Sequence, residues 1–298
     1  MAVYFMYMKT FGRANGSSAV SAAAYRAGER IRDDRTGRIY DHSAREGVLH
    51  TEIVLPAKLA DSAPAWAEDR ASLWNAAETA EPRKNARDAR EFLVALPAEM
   101  SAEQRLRLVR GFATDLADRY GFALDLAVHA PRSDPRNHHA QLLATTREVG
   151  IEGLGAKTTL EISDVQRRAR GLEPFFREVV LLRERWAIAT NEALAAASIA
   201  VRVDHRSLEA QGIEREPQAR LPRPAWEIER RGERSVIGDR IRAEQHARVD
   251  QRALAAQPEG LEDVRRRARE AWLELRRRSA AVAPDVARDR GSDDDLAR

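Results

Sequence analysis

Residues 123–146 read ALDLAVHAPRSDPRNHHAQLLATT and give the clearest indication of the fold. Two apolar, β-prone runs, 123–129 and 138–146, flank the turn-forming residues 134–137. Short runs of this kind separated by a turn are typical of two adjacent antiparallel strands. The pattern therefore predicts a hairpin that brings the end of the first strand beside the start of the second.

Such a hairpin would gather polar side chains at one end of a sheet. His129 ends the first strand, His139 begins the second, and the two-residue period of a strand puts Gln141 on the same face as His139. His138 then points to the opposite face. Imidazole suits Mn²⁺, Zn²⁺, Ni²⁺ or Co²⁺, while an amide oxygen is a weaker, harder donor. The spacing indicates a cation site; the alternative is that the histidines are structural.

The first half of the chain alternates strand-like and helix-like segments. Further strands are predicted at 3–9, 50–55 and 91–96. Helices are predicted at 19–26, 66–80 and 101–119. Ser101 and Gln104 have the spacing of a capping box at the start of the last helix. The order predicts an α+β domain in which helices cover one face of a mostly antiparallel sheet and leave the other face to a ligand.

Beyond about residue 164 the composition changes to Arg, Ala, Glu and Leu. Helices are predicted at 178–197, 227–234 and 240–278. We expect an extended proline-rich stretch at 215–224 and a disordered acidic tail around 292–295. The chain is therefore divided into a domain at 1–165 and a helical, arginine-rich C-terminal extension at 166–298.

The composition excludes several classes of protein. The 298 residues include no cysteine, which excludes disulfide scaffolds, Cys-ligated zinc, iron–sulfur clusters and a Cys nucleophile. The net charge is only +3, but just four of the 50 basic residues are lysines. Arginine suits phosphate recognition, although a GC-rich genome would give the same bias. Without a membrane-spanning run or a signal peptide, we expect a cytoplasmic protein with no membrane insertion.

A second segment with chemical potential is GSSAVSAAAYRAG at residues 16–28. Its small alanine and serine side chains would allow another backbone, of protein or nucleic acid, to approach closely. Tyr25 is therefore a candidate nucleophile. The alternative is a packing residue whose hydroxyl finds a hydrogen-bond partner.

One glycine-rich segment imitates a nucleotide-binding motif. Residues 153–158 read GLGAKT, but Ala156 separates the second glycine from Lys157. The segment therefore lacks the G-x-x-x-x-G-K-[ST] spacing of a phosphate loop. We expect a loop here instead of a nucleotide-binding site.

Four motifs follow one another along the chain. They are Tyr25-Arg-Ala-Gly, His50-Thr-Glu-Ile-Val-Leu-Pro, Ala95-Leu-Pro-Ala-Glu and Asn137-His-His-Ala-Gln-Leu-Leu-Ala-Thr-Thr-Arg147. In this order they resemble the MobA/MobL (MobQ-type) conjugative relaxases and the N-terminal domain of TraA proteins. The likeness covers about residues 1–165 and implies an HUH endonuclease. Its fold would be a five-stranded antiparallel sheet with helices packed on one face, followed by a mostly helical C-terminal region.

The resemblance also implies roles for single residues. Tyr25 takes the place of the nucleophile, and His129 and His139 take two of three metal-histidine places. The family usually has His-x-His where this chain has His139-Ala-Gln141. Some related HUH replication proteins use His-x-Gln, so we expect Gln141 to bind through its amide oxygen, in a weaker site. Glu91 stands at an acidic position and is expected to orient a ligand histidine; the alternative is a solvated strand end.

The implied reaction is strand-specific nicking of plasmid DNA at an origin of transfer. A divalent cation, Mn²⁺ or Mg²⁺ with Zn²⁺, Ni²⁺ or Co²⁺ as alternatives, would neutralise the scissile phosphate. Attack by Tyr25 would give a 5′-phosphotyrosine and a free 3′-OH, which allows later rejoining. Two alternatives stay open. One is a rolling-circle replication initiator or transposase of the same class, and the other is a catalytically impaired DNA-binding relaxosome component, because of Gln141.

The implied partners follow from that reaction. They are single-stranded or extruded plasmid DNA, relaxosome accessory proteins and the coupling protein of a type IV secretion system. Basic side chains are expected to follow the DNA phosphates, or else to be solvated surface. The candidates are Arg26, Arg132, Arg136, Arg147 and Lys157.

Overall fold

The computed structural model describes residues 3–131, 134–215, 221–255 and 261–281. The strands are β1 (Met6–Gly12), β2 (Arg30–Arg32), β3 (Ile39–Asp41), β4 (Val48–Val54), β5 (Arg87–Ala95), β6 (Leu124–His129), β7 (His139–Thr145), β8 (Arg147–Val149) and β9 (Leu154–Lys157). The helices are α1 (Ala19–Ala27), α2 (Ala65–Glu68), α3 (Arg70–Thr79), α4 (Ala102–Tyr120), α5 (Asp164–Ala169), α6 (Phe175–Ala196), α7 (Arg223–Arg230), α8 (Val236–Ala255) and α9 (Leu261–Ala281).

Five strands form one antiparallel sheet in the order β1-β5-β7-β6-β4. The predicted hairpin of β6 and β7 lies inside this sheet, and its register sets His129 opposite His139. Two smaller pairs, β2 with β3 and β8 with β9, lie outside the main sheet. The predicted five-stranded antiparallel sheet with helices and a helical C-terminal region is confirmed, but the helices pack on both faces of the sheet and not on one face as predicted.

One face of the sheet packs against α4 and α6. Phe92 and Leu142 of the sheet are fully buried in the same apolar cluster as Phe112 of α4 and Trp186 of α6. The rings of Phe112 and Trp186 lie 4.9 Å apart between centroids. Burying a large apolar side chain of this kind contributes about 1.5–3 kcal/mol, so α6 is an integral part of the core.

The opposite face carries α1 and α3. The buried alanines of α1, among them Ala19 and Ala23, share a second apolar cluster with Leu73 and Trp74 of α3. Because alanine side chains are short, the backbone of α1 can approach the sheet closely. These two helices therefore cover part of the face that the sequence pattern left for a ligand.

The chain divides into two compact units, Met1–Arg206 and Ser207–Arg298. The first unit extends past residue 165, where the sequence placed the end of the first domain. The physical reason is that Trp186 and Leu194 of α6 are buried in the core of the first unit.

The second unit contains α7, α8 and α9. The single helix expected over 240–278 is two helices, α8 and α9, and the acidic tail at 292–295 lies outside the described residues. Among the described residues, no helix is both long enough and apolar enough to cross a membrane.

Candidate functional site

The end of the β6–β7 hairpin gathers the predicted cation-binding side chains. The rings of His129 and His139 face each other across the two strands, with centroids 5.5 Å apart. Gln141 lies two residues further along β7, opposite Ala127. Facing residues of antiparallel strands share a face, as do residues two apart on one strand. The structure therefore brings these three side chains together on one face.

The hydrogen bond of His129 decides which of its nitrogens is available. Its Nε2 lies 2.8 Å from the backbone carbonyl oxygen of Arg26. A carbonyl only accepts, so Nε2–H donates and the lone pair of the neutral ring is on Nδ1. That Nδ1 is buried and has no hydrogen-bond partner. A carbonyl that orients a ligand histidine from behind in this way is common in metal sites.

The other two side chains also offer acceptor atoms. Gln141 Oε1 is buried without a hydrogen-bond partner. His139 Nδ1 lies 3.0 Å from the carbonyl of Asn137, which leaves the lone pair of the neutral ring on Nε2. A buried acceptor without a partner costs about 1–3 kcal/mol, and a cation bound by both of these atoms would remove that cost. The donor set of two imidazoles and one amide oxygen fits a divalent cation.

The protonation state of His129 also favours metal binding. Burial lowers the pKa of His129 from 6.5 to about 4, and the positive charges of Arg45, His139 and Arg26 act in the same direction. The hydrogen bond to the Arg26 carbonyl opposes this shift. His129 is thus neutral at physiological pH, the state in which imidazole binds metals. Within the described residues, no cluster of three or more His, Cys, Asp or Glu is suited to a metal, so a cation site here stays a prediction that includes the amide of Gln141.

Tyr25 lies on the exposed side of an otherwise buried helix. α1 begins after Ser18, whose Oγ accepts a hydrogen bond from the backbone N–H of Ser21. It ends at Gly28, where φ is 67° and an added Cβ would meet Val48 Cγ2 at 3.3 Å. The Tyr25 side chain is 43% exposed. A residue that mainly fills the core would be buried, so this exposure favours the nucleophile hypothesis over the packing alternative.

The surroundings of Tyr25 were missed by the sequence analysis. The guanidinium of Arg45 lies 3.9 Å from the centroid of the Tyr25 ring, and the ring of His42 makes an edge-to-face contact at 5.3 Å. Arg45 Nη1 also donates to the backbone carbonyl of Tyr25. No spacing rule links residues 25, 42 and 45. They meet because the β2–β3 hairpin returns the chain to the end of α1.

Arg26 and Glu91 form a buried ion pair beneath this helix. Arg26 Nε donates to Glu91 Oε1 at 2.7 Å, and Lys9 Nζ lies 2.9 Å from Glu91 Oε2. The side chains of Arg26 and Glu91 are 5% and 1% exposed. The expectation that Glu91 contacts a ligand histidine directly is therefore corrected: Glu91 holds Arg26, and the carbonyl of Arg26 holds His129. Burial and pairing also set the Arg26 side chain away from phosphate contacts.

The remaining basic candidates lie in different environments. Arg136 is exposed in the hairpin turn and pairs with Asp134. Arg147 Nε and Lys157 Nζ lie 2.7 and 2.6 Å from the same Glu81 carboxylate, beyond the end of β7 opposite to His139. Arg132 lies outside the described residues. Contact of any of these side chains with DNA stays a prediction.

Comparison with known proteins identifies the family to which the chain is similar. The sequence model of the MobA/MobL family matches residues 17–231. Mobilization protein MobL of Acidithiobacillus ferridurans is 38% identical over 260 residues, which cover 79% of this chain and 66% of that protein. Conjugal transfer protein TraA of Rhizobium radiobacter is 32% identical over 259 residues, covering 80% and 23%. Probable mobilization protein MobA of Bifidobacterium longum is 31% identical over 263 residues, covering 78% and 45%. The chain thus spans less than two thirds of the length of these relatives.

A solved structure agrees with the sequence comparison. It is described as "Molecular Basis of Vancomycin Resistance Transfer in Staphylococcus aureus" and is similar to this chain with a TM-score of 0.57 and 27% identity. The match covers 69% of this chain and all of the other. The family match covers well over half of the chain, including the helix of Tyr25 and the hairpin of the two histidines. The chain belongs to the MobA/MobL family.

Proposed function

We propose that this chain nicks one strand of plasmid DNA at an origin of transfer, with Tyr25 as the nucleophile and a divalent cation held by His129, His139 and Gln141. The observation that carries the proposal is the pair of buried acceptors, His129 Nδ1 and Gln141 Oε1, on one face at the end of the sheet. Hydrogen bonding of His129 to Arg26, the residue after Tyr25, ties the nucleophile helix to this end. The names of the relatives, which refer to mobilization and conjugal transfer, support the substrate.

The proposed reaction is a transesterification. The phenol oxygen of Tyr25 forms a bond to the scissile phosphorus as the bond from phosphorus to the 3′ oxygen breaks. The phenol proton passes to solvent, and the departing 3′ oxygen takes up a proton. When bound, a divalent cation neutralises the phosphate and aligns it for attack. The reverse reaction, with the 3′-OH as nucleophile, rejoins the strand without a nucleotide cofactor.

The chain's own residues prepare this step. Burial keeps His129 neutral. Its hydrogen bond from Nε2 to the Arg26 carbonyl leaves the lone pair of Nδ1 to bind the proposed cation. The ion pair of Arg26 with Glu91 fixes the end of α1, which carries Tyr25. Both effects preorganise the nucleophile and the cation ligands before the substrate binds, and positioning of this kind is a main way in which proteins accelerate phosphoryl transfer.

The test is capture of the covalent intermediate. The full chain is incubated with a labelled single-stranded transfer-origin oligonucleotide and Mn²⁺, and an SDS-stable adduct is measured on a gel. We expect Tyr25→Phe to abolish the adduct while oligonucleotide binding survives, because the substitution removes only the attacking oxygen. Tyr40→Phe, which removes a hydroxyl from the neighbouring hairpin, is the matched control and should form the adduct normally. An adduct formed by Tyr25→Phe would show that another residue is the nucleophile.

A second candidate function is a DNA-binding relaxosome component without nicking activity. The amide of Gln141 as third donor favours it, because an amide binds a cation more weakly than imidazole. The same assay separates the two: this candidate predicts binding of the transfer-origin oligonucleotide with no adduct at any Mn²⁺ concentration. Replacing the transfer-origin oligonucleotide by a replication-origin one separates a mobilisation relaxase from a replication initiator.

A further inference from the structure

The positively charged guanidinium of Arg45 packs against the ring face of Tyr25, the proposed nucleophile. The guanidinium carbon of Arg45 is 3.9 Å from the centroid of the Tyr25 ring, whereas that of Arg26 is 4.8 Å from the ring of Phe11. Arg45 is also hydrogen-bonded to the carbonyl of Tyr25. This carbonyl belongs to the last turn of α1, where the helix itself supplies no donor. Arg45 therefore contacts both the ring and the backbone of one residue.

We infer that Arg45 is a positioning residue of the nicking reaction and that its positive charge, besides its contacts, assists Tyr25. This inference rests on the proposed function. It goes beyond the motif residues, since Arg45 lies in the connection between β3 and β4 that no motif covers. The residue would hold the phenol ring in one orientation and stabilise negative charge on its oxygen.

The loop of Arg45 is anchored at both of the elements that form the site. The backbone N–H of His42 donates to the carbonyl of Glu29, just beyond α1, at 3.0 Å. The N–H of Ala130, the residue after His129, donates to the carbonyl of Gly47 at 2.8 Å. Because the loop is tied to both the nucleophile helix and the histidine strand, Arg45 is held between them.

The charge matters because the phenol oxygen changes its charge in both directions of the reaction. In cleavage it loses a proton and forms its bond to phosphorus; in rejoining that bond breaks and the oxygen leaves as an anion. The negative charge of a phenolate spreads into the ring, so a guanidinium on the ring face attracts the anion more strongly than the neutral phenol. An interaction that is stronger in the transition state than in the ground state increases the rate. Both directions share one transition state, and both should benefit.

Two substitutions separate charge from contact. Arg45→Gln keeps an N–H donor for the Tyr25 carbonyl but removes the charge, and Arg45→Lys keeps the charge. The matched control is Arg38→Gln, which removes a cation 5.1 Å from the ring of Tyr40 in the same unit. In the full chain with Mn²⁺, we would measure the single-turnover rate of adduct formation, the rate of rejoining with a 3′-OH oligonucleotide, and the dissociation constant of the uncleaved oligonucleotide.

We expect Arg45→Gln to slow cleavage and rejoining together by roughly 2- to 30-fold, the rate equivalent of losing one cation–π contact. The dissociation constant should change far less than the rate, Arg45→Lys should recover most of the rate, and Arg38→Gln should behave as the wild type. An unimpaired Arg45→Gln would overturn the inference, and so would equal impairment of the Gln and Lys variants, which indicates a purely structural role. In both cases the wild-type adduct would still support the proposed function. If the wild type forms no adduct, the proposed function fails and this inference fails with it.

Discussion

At the scale of single residues, one hydrogen bond defines the candidate cation site. The Arg26 carbonyl accepts a hydrogen bond from Nε2 of His129 and orients its ring. The Nδ1 atom of His129 is buried without a hydrogen-bond partner. The third donor differs in kind, because Gln141 offers an amide oxygen in place of an imidazole. The affinity of the site should therefore depend strongly on residue 141.

Gln141→His should tighten Mn²⁺ binding, because an imidazole nitrogen replaces a weaker amide donor. We expect an increase in affinity, measured by calorimetry without DNA, and a larger increase for Ni²⁺, which favours imidazole, than for Mn²⁺, which also accepts carbonyl oxygen. His138→Gln is the control, since His138 precedes the strand and is not part of the donor set; it should leave the affinity unchanged. Equal affinities of wild type and Gln141→His would argue that residue 141 is not a ligand.

At the scale of elements, the junction of β5 and α3 buries a group of acids. Asp88 at the start of β5 is fully buried near Glu78 of α3, and Asp88 Oδ2 lies 3.5 Å from Arg13 Nε. Burial, followed by the charges of Glu78 and Glu81, raises the pKa of Asp88 from 3.8 to about 7, while Arg13 acts in the opposite direction. The junction therefore holds a carboxyl that gains a proton on folding at mildly acidic pH.

This shift gives the stability of the chain a pH dependence of known sign. The folded-state pKa is above the unfolded value, so the contribution of Asp88 to stability is fully present below about pH 4 and is lost as the pH rises through 7. Asp88→Asn has no such group to ionise. We expect its unfolding free energy, relative to wild type, to be higher at pH 8 than at pH 5 by roughly 2 kcal/mol. Urea denaturation at the two pH values measures this difference.

The control for Asp88 is an exposed acid of the same unit. Asp61→Asn should change the unfolding free energy by a similar amount at both pH values, because Asp61 is exposed. A difference between wild type and Asp88→Asn that does not vary with pH would contradict the assignment of the raised pKa to Asp88.

At the scale of the whole molecule, α6 decides where the first unit ends. Leu182, Trp186 and Leu194 are buried in the core that α4 and the sheet share. A fragment ending at residue 165 loses these side chains and exposes the apolar surface they cover. Fully burying one large apolar side chain contributes about 1.5–3 kcal/mol, so the loss of all three is comparable with the whole stability of a typical domain, about 5–15 kcal/mol.

We therefore expect a fragment of residues 1–206 to unfold cooperatively in urea and a fragment of residues 1–165 to show no cooperative transition. If Tyr25 is the nucleophile, the longer fragment should also form the SDS-stable adduct, since the whole candidate site lies within it. Cooperative unfolding of the shorter fragment would show that α6 is dispensable for the core.

Local signals in the sequence were sufficient to predict the positions of many helices and strands. The capping box of Ser101 and Gln104 is present at the start of α4, and α1 was predicted to within one residue of its observed end. Other signals were misread. The segment 66–80 forms two helices, because Asp69 ends α2 and its side chain caps α3. The residues between 26 and 50, where no strand was predicted, contain the paired strands β2 and β3.

Local sequence patterns were enough to predict the hairpin of β6 and β7 and the common face of His139 and Gln141, because strand period and turn residues act over a few neighbouring positions. Three other contacts depend on the three-dimensional fold: Arg45 packs against Tyr25, Glu91 pairs with Arg26, and α6 completes the core. These contacts join residues 20 to more than 60 positions apart in the chain. A local sequence period cannot predict contacts between such distant residues. These contacts form because helices and strands bury their apolar faces against one another.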